Sequence, residues 1–271
     1  MKCAYVTLVM LGNAFVKGAV ALAKSLIKSQ TRYDLICLIT DDVTKRSELL
    51  KVYTKIIVVP YLYFKCGKML TERQQNLYNK WIDFSFTKWR CFDLVMYDKC
   101  IYLDADQLVL HNIDHLFVYD YAMCFNYNYN AQFKNFKHGD VVRHNVLKFI
   151  LENYTFVGFT GTLVFKPNKN LSSTIENLLN SNNKLLNMAK NSFHNGFDEI
   201  VLTQALIKLH IDVVQLSPMY IWNAGDYEVL KDGLQPYVIN YYGDRKPWIQ
   251  SSLQYMDLYI WKYFYCSKLR N

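Results

Sequence analysis

The sequence has no Cys-x-x-Cys pair and no zinc-finger spacing, so it offers no structural zinc site of paired thiolates. It has no long Lys/Arg run. The formal charge is +8, but the cations are dispersed, which argues against a nucleic-acid groove. No apolar stretch is long enough to span a bilayer. Lys2 and the apolar residues behind it have the outline of a signal peptide, but Asn13, Lys17 and Gly18 interrupt it. No Gly-x-Gly-x-x-Gly pattern follows the first apolar run, so a dinucleotide fold is not indicated. The expectation is a protein without nucleic-acid or membrane partners.

What is present is a core. Of 271 residues, 52% are hydrophobic and 16% aromatic, a composition that folds. The 22 Tyr and 16 Phe are plentiful enough for some to line a sugar site, since tyrosine packs while keeping a hydrogen-bonding tip. Seven scattered cysteines, several within apolar runs, read as buried free thiols. They point to a reducing compartment, the cytoplasm, where the sequons at Asn153 and Asn170 would go unused. The basic balance fits an anionic partner such as a nucleotide diphosphate.

Taken in order, Ala4 to Val9 reads as a buried strand, and Asn13 is placed to cap the helix that follows. Lys17, Lys24 and Lys28 fall on one stripe of that helix and Phe15, Val20, Leu22, Leu26 and Ile27 elsewhere, as for a helix lying on a sheet. Leu35 to Thr40 and Ile56 to Val59 read as strands around a charged helix, and a β-α-β-α-β order argues for a parallel sheet. Residues 60–80 read as an irregular flap. Asp83 to Tyr97 reads as a helix capped by Asp83, and further helices are expected over Val141 to Asn153 and Ile200 to Leu209. Asp198 stands where an N-cap of the last would be.

The most informative stretch is Lys99 to Phe117. A short apolar run, Ile101-Tyr102-Leu103, ends in Asp104-Ala105-Asp106, and a second apolar run follows. Open α/β sheets bind ligands at the carboxyl ends of their strands. In extended chain Asp104 and Asp106 would face one side, and Ala105 would let an object approach the backbone. Two hard oxygen donors suit Mg²⁺ or Mn²⁺. Solvated acids in a turn are the plainer alternative.

The run IYLDADQLVLHNIDHLF resembles the metal-binding segment of glycosyltransferase family 8, in the glycogenin and galactinol synthase branch. Within it the chain is similar to the small glycogenin-like proteins of insect DNA viruses, the baculoviruses. The resemblance runs from Ala4 to Trp248 and implies an α/β, GT-A-type (Rossmann-like) nucleotide-sugar transferase fold, with a mostly parallel central sheet flanked by helices. It implies one domain over 1–271, with an acceptor-side insertion at about 118–158 and a C-terminal amphipathic helix at about 253–266. The implied activity is metal-dependent, retaining transfer of a hexose from a UDP-sugar to an unknown acceptor (carbohydrate, small polyol or protein), with Mn²⁺ or Mg²⁺ as cofactor. A homodimer is compatible with it.

By the same resemblance Leu8 and Val9 border the uracil and Phe15 stacks near it. Lys88, in Thr87-Lys88-Trp89, reaches the sugar nucleotide. Asp104, Ala105 and Asp106 meet the metal and diphosphate. Thr160 and Gly161 belong to the strand that normally carries an asparagine, here Phe159. Asn195, Asp198 and Glu199 match an Asp-Gly-Gly-Asp-Gln block, with Asp198 nearest the anomeric carbon and Lys88 and Asn195 beside it as catalytic candidates. Asn195 replaces an acid, and Glu199 replaces glutamine. Gly243, Lys246, Pro247 and Trp248 fit His-x-x-Gly-x-x-Lys-Pro-Trp, with Gly243 and Lys246 on the diphosphate. Asn240 stands where that motif has histidine, the third metal ligand after Asp104 and Asp106. Trp222-Asn223 resembles the Tyr-Asn step before the acceptor region, and the self-glucosylated tyrosine of glycogenin has no clean counterpart, Tyr227 being near it. The replacements keep a second reading open, a descendant that binds sugar nucleotide or a protein partner without transfer. A third, a basic nucleic-acid-binding protein, requires a clustered positive face.

Asn240→His should tighten Mn²⁺ binding at neutral pH, since imidazole nitrogen replaces a neutral amide oxygen, and the gain should fade at mildly acid pH. Mn²⁺ titration of both proteins with UDP present checks it.

Overall fold

The computed structural model describes residues 1–125, 135–154, 156–225, 235–243, 246–249 and 256–268. Strand β1 (Cys3–Val9) lies inside an eight-stranded sheet and is buried along its whole length. Its alternation divides two cores. Ala4, Val6 and Leu8 point into one, and Cys3, Tyr5 and Val9 into the other. β2 (Asp34–Ile39), β3 (Lys55–Val58) and β4 (Lys99–Leu103) extend the same parallel sheet, β2 and β4 flanking β1. β2 and β4 also split their side chains between the two cores, as strands buried on both faces do.

Helix α1 (Val16–Lys28) covers one face, placing Val16, Ala19, Val20, Leu22, Ala23 and Leu26 in the second core. Phe15 is its N-cap residue, and Asn13 does not cap it. Asn13 Oδ1 instead accepts from the backbone N–H of Thr44 and of Lys45, each at 3.0 Å, tying it to the loop before the short helix α2 (Arg46–Leu49). Nor is the lysine stripe wholly solvated. Lys24 donates to the carbonyls of Tyr265 and Ser267, the latter at 3.0 Å, and Lys28 lies over the Tyr263 ring.

The flap expected at 60–80 contains a helix, α3 (Glu72–Tyr78), started by a capping box. Gln74 N donates to Thr71 Oγ1 at 3.2 Å and Thr71 N donates back to Gln74 Oε1 at 3.1 Å. The helix expected from Asp83 is instead a run of 3₁₀ turns over Ile82–Asp93. Its period of three puts Phe86, Trp89 and Phe92 on one face, all fully buried. Asp83 is not a cap. It accepts from Cys66 N at 3.0 Å and Lys65 Nζ at 2.8 Å, which pins the flap to this run.

Past β4 come β5 (Gln107–Val109), β6 (Ala122–Cys124), β7 (Val141–Val142), helix α4 (His144–Asn153) and β8 (Phe159–Phe165). The described strands between 118 and 158, β6 and β7, belong to the eight-stranded sheet. The order is β3-β2-β1-β4-β8-β6-β9-β7, with β6 in its interior. β8 runs antiparallel to β4 and to β6. Helices α5 (Lys169–Asn180), α6 (Lys184–Asn187) and α7 (Phe197–Lys208) close the first core, and β9 (Val213–Gln215) follows. β10 (Trp222–Asn223), β11 (Val238–Asn240) and β5 make a second, three-stranded sheet. Of the C-terminal helix the described part is α8 (Met256–Cys266), which packs on α1. All seven cysteines are free thiols. Among the described residues no helix is long and apolar enough to cross a membrane.

The sheet and α1 meet closely at Gly18. A Cβ added there would stand 2.4 Å from the Ala105 carbonyl oxygen. Alanine favours helix by about 1 kcal/mol over glycine. Gly18→Ala should nonetheless destabilise the protein by about 1–3 kcal/mol, because backbone and not a flexible side chain must move. Urea unfolding of the two proteins checks the sign.

Candidate active site

The site forms where β4 ends. Gln107 N donates to the Asp104 carbonyl at 3.0 Å, so Asp104-Ala105-Asp106 is a tight turn, not extended chain. The extended-chain argument for placing the two acids on one side therefore does not apply, although Asp106 is near enough to act on Asp104. Each acid instead has its own lysine. Asp104 Oδ1 is 3.7 Å from Lys88 Nζ, and Asp106 Oδ2 pairs with Lys246 Nζ. Gly161 lets β8 pass beside this turn, because a Cβ there would stand 3.0 Å from Asp104 Oδ2 and 2.9 Å from Gln107 Nε2.

Lys88 is the hub. It is 7% exposed, on the 3₁₀ run whose Trp89 and Phe92 anchor it in the core. It meets Asp198 Oδ2 at 3.2 Å and donates to Thr160 Oγ1 at 2.9 Å. Thr160 also donates to Glu199 Oε1 at 3.1 Å. One cation thus faces three carboxyls. Burial lowers the Lys88 pKa, but Asp104, Asp198 and Glu199 outweigh it and the net shift is upward. The acids do not gain equally. Burial raises Asp104 and Glu199, Lys88 opposes this, and the neighbouring acids add to the rise. A shared cation is well served by three carboxyls, whereas each carboxyl has only part of a cation. The Tyr102 hydroxyl also hydrogen-bonds Asp104.

Asp198 is not the N-cap of α7. Gly196 is, and Asp198 lies in the first turn, 5% exposed, where the helix N-terminus favours negative charge. Trp89 Nε1 donates to its backbone carbonyl at 3.2 Å. Asn195, expected at the sugar, uses both ends of its amide within the protein. It accepts from Val157 N at 2.8 Å and donates to the Gly158 carbonyl at 2.6 Å, steadying the start of β8. Asn191, which the sequence reading missed, holds the Asn195 carbonyl at 3.0 Å.

On the other side Lys246 also donates to the Tyr241 carbonyl at 2.6 Å and lies over the Phe15 ring. Trp248 packs edge-on against Phe15 and donates to the Ala14 carbonyl at 2.7 Å. Phe15 therefore stands beside the lysine expected to hold the diphosphate. Leu8 and Val9 are buried, one in each core. Gly243 has φ +84°, a backbone that other residues rarely adopt. Asn240 pairs across to Gln107 in the small sheet, and its amide nitrogen donates to Asn223 Oδ1 at 3.0 Å. Its carbonyl oxygen is the end left to ligate. The two halves of the site are joined over the top by Tyr78 and Tyr242, whose hydroxyls are 2.8 Å apart. No sequence motif marks that pair. Tyr227 lies outside the described residues.

The acids suit a hard divalent cation. Asp106 Oδ1 is buried with no hydrogen-bond partner among the described residues, while the Asp104 side chain is 37% exposed and reachable. Among the described residues no three of His, Cys, Asp and Glu gather as a metal site, and the third ligand expected at Asn240 would be an amide oxygen.

A mostly parallel sheet flanked by helices, with acids at the end of a central strand and lysines on both, defines a GT-A-type glycosyltransferase fold. The galactosyltransferase LgtC, solved with donor and acceptor sugar analogues, superposes with a TM-score of 0.60 over 97% of this chain and 95% of its own, at 14% identity. The model of glycosyl transferase family 8 matches residues 6–265, and the chain belongs to that family. An uncharacterised protein of Acanthamoeba polyphaga mimivirus is 40% identical over 116 residues, 42% of this chain and 39% of that protein. Galactinol synthase 1 of Solanum lycopersicum is 36% identical over 116 residues, 43% of this chain and 36% of the enzyme. Glycogenin-1 of Homo sapiens is 36% identical over 116 residues, 42% of this chain and 32% of its own. The chain thus spans well under half the length of the curated relatives it matches.

Lys88→Met should cost about 3–5 kcal/mol at neutral pH, because it leaves buried carboxylates without their cation. The loss should shrink at about pH 5, where Asp104, already raised to about 6, takes up a proton and needs no cation. Urea unfolding of both proteins across this range checks it.

Proposed function

We propose that this family 8 glycosyltransferase is a metal-dependent retaining enzyme that moves a hexose from a UDP-sugar to an acceptor. The observation that carries the reading is Lys88 held between Asp104 and Asp198. It joins the acids suited to a cation with the acid assigned to the anomeric carbon. On this reading Asp104, Asp106 and Asn240 Oδ1 would hold Mn²⁺ or Mg²⁺. Lewis-acid neutralisation of the leaving diphosphate is the chemistry such a cation supplies when bound.

The chain's own groups do the rest. Lys246 exchanges its Asp106 partner for the diphosphate and adds positive charge where the negative charge develops. Gly243 gives the phosphates backbone access, and Phe15 with Trp248 offers apolar surface to the base. Asp198, fixed by Lys88 and the helix turn, faces the anomeric carbon as positive charge grows on it. Residues 1–271 act as one transferase domain, with the acceptor met from the 118–158 side. A viral origin belongs to this proposal too, supported by the mimivirus relative and not by an insect-virus one.

Calorimetry with UDP-glucose and UDP-galactose should show binding with Mn²⁺ and none in EDTA, and Mn²⁺-dependent hydrolysis should identify the sugar. Equal binding in EDTA would sink the metal bridge. Asp104→Asn should lower turnover by at least about a hundredfold. Asp106→Asn should also lower the melting temperature, since Lys246, 8% exposed, loses its charged partner.

A further inference from the structure

The side chains around Lys88 are arranged in a ring. Lys88 Nζ donates to Thr160 Oγ1 at 2.9 Å. The Thr160 hydroxyl, having accepted there, donates to Glu199 Oε1 at 3.1 Å. In the other direction Lys88 Nζ meets Asp198 Oδ2 at 3.2 Å. The gap left in the ring lies between the two acids, and Asp198 acts on Glu199 across it. A Cβ on Gly196 would stand 2.5 Å from Asp198 Oδ1 and 2.7 Å from Glu199 Oε2, so both remaining oxygens crowd one spot. Two bare carboxylates there would repel, and Lys88 is already shared with Asp104 at 3.7 Å. A single proton between them turns the repulsion into a donated hydrogen bond.

We propose that Asp198 and Glu199 hold one shared proton, and that Glu199 is a positioning residue that works as a neutral carboxylic acid, keeping Asp198 and Lys88 aimed at the sugar. The role in the reaction rests on the transferase reading; the proton does not. Glutamine, the residue in the block that 195–199 resembles, fits the same ring. Its carbonyl would accept from Thr160 and its N–H would donate to Asp198. Glutamate makes the same bonds only while protonated, so this chain's site carries a pH dependence that an amide would not give it.

The charged and titratable groups facing Glu199 are Asp198 on α7, Lys88 on the 3₁₀ run, Asp104 after β4 and Tyr78 on α3. Burial first, then Asp198, raises Glu199 from its ordinary 4.5 to about 8, with Lys88 opposing. The folded protein then keeps a proton that the unfolded chain releases. Stability tied to Glu199 is full below the unfolded value and is lost as pH rises through the folded one.

The test starts with the metal-free full chain, labelled with ¹³C at the glutamate carboxyls. One glutamate resonance should titrate between about pH 7 and pH 9, be absent in Glu199→Gln and shift toward the ordinary range in Asp198→Asn. The melting temperature of Glu199→Gln should gain on wild type from about pH 5 to about pH 8 and then run parallel. With UDP-glucose and Mn²⁺, wild-type hydrolysis should fall about tenfold per pH unit above the midpoint. The Glu199→Gln profile should lack that limb, whatever its height. If every glutamate titrates in the ordinary range, or the two melting curves stay parallel throughout, the shared proton is refuted. An unchanged alkaline limb in the variant refutes its role in the reaction. Absence of hydrolysis at every pH refutes the transferase reading, and the resonance then decides the proton alone.

Discussion

The Lys88 ammonium is buried and surrounded by more negative charge than it can neutralise. That imbalance organises the centre of the molecule. A buried cation is tolerable only where several acceptors replace its water. Asp104, Asp198 and Thr160 do so from three separate elements. The turn after β4, the first turn of α7 and the start of β8 must therefore arrive together. The 3₁₀ run holds the lysine still by sinking Phe86, Trp89 and Phe92 into the core beneath it.

Small residues make that convergence possible. Gly18 brings α1 against the Ala105 carbonyl, and Gly161 brings β8 against Asp104 and Gln107. Neither position has room for a methyl group without a shift. Both glycines lie where two elements touch the same three-residue turn. The acids are thus fixed by backbone contact as well as by their lysines.

Most of the sheet was legible in the sequence. Buried strands β1, β2 and β4 are apolar on both faces, and the β-α-β order admits few alternatives. What failed was local geometry. Alternation suggested extended chain at Asp104-Ala105-Asp106, but a turn won because β4 had already ended. Asp83, Asn13 and Asp198 looked like caps because caps favour those residue types, yet tertiary partners claimed two of them and Gly196 took the third place. Phe86, Trp89 and Phe92 carry a period of three that a helical template cannot see. The Thr71-to-Gln74 capping box is legible in the sequence as a helix start inside the flap. Asn195 illustrates the limit of motif matching. It occupies the expected place in the chain, but its amide is turned inward to the backbone of residues 157 and 158. The Tyr78–Tyr242 contact joins residues that no local pattern connects.

The packing of α8 on α1 has a consequence for the order in which the molecule can be made. Chains emerge from the ribosome N-terminus first. Lys24 is synthesised long before its partners, the carbonyls of Tyr265 and Ser267. Ala21 on the same helix shares a core with Trp261 and Phe264. One face of α1 therefore waits uncovered until α8 has been made. The small sheet beside it waits as well, since Leu108 and Ile239 belong to that same core. The parallel strands can assemble early, but the seal over this face is set only when α8 has left the ribosome.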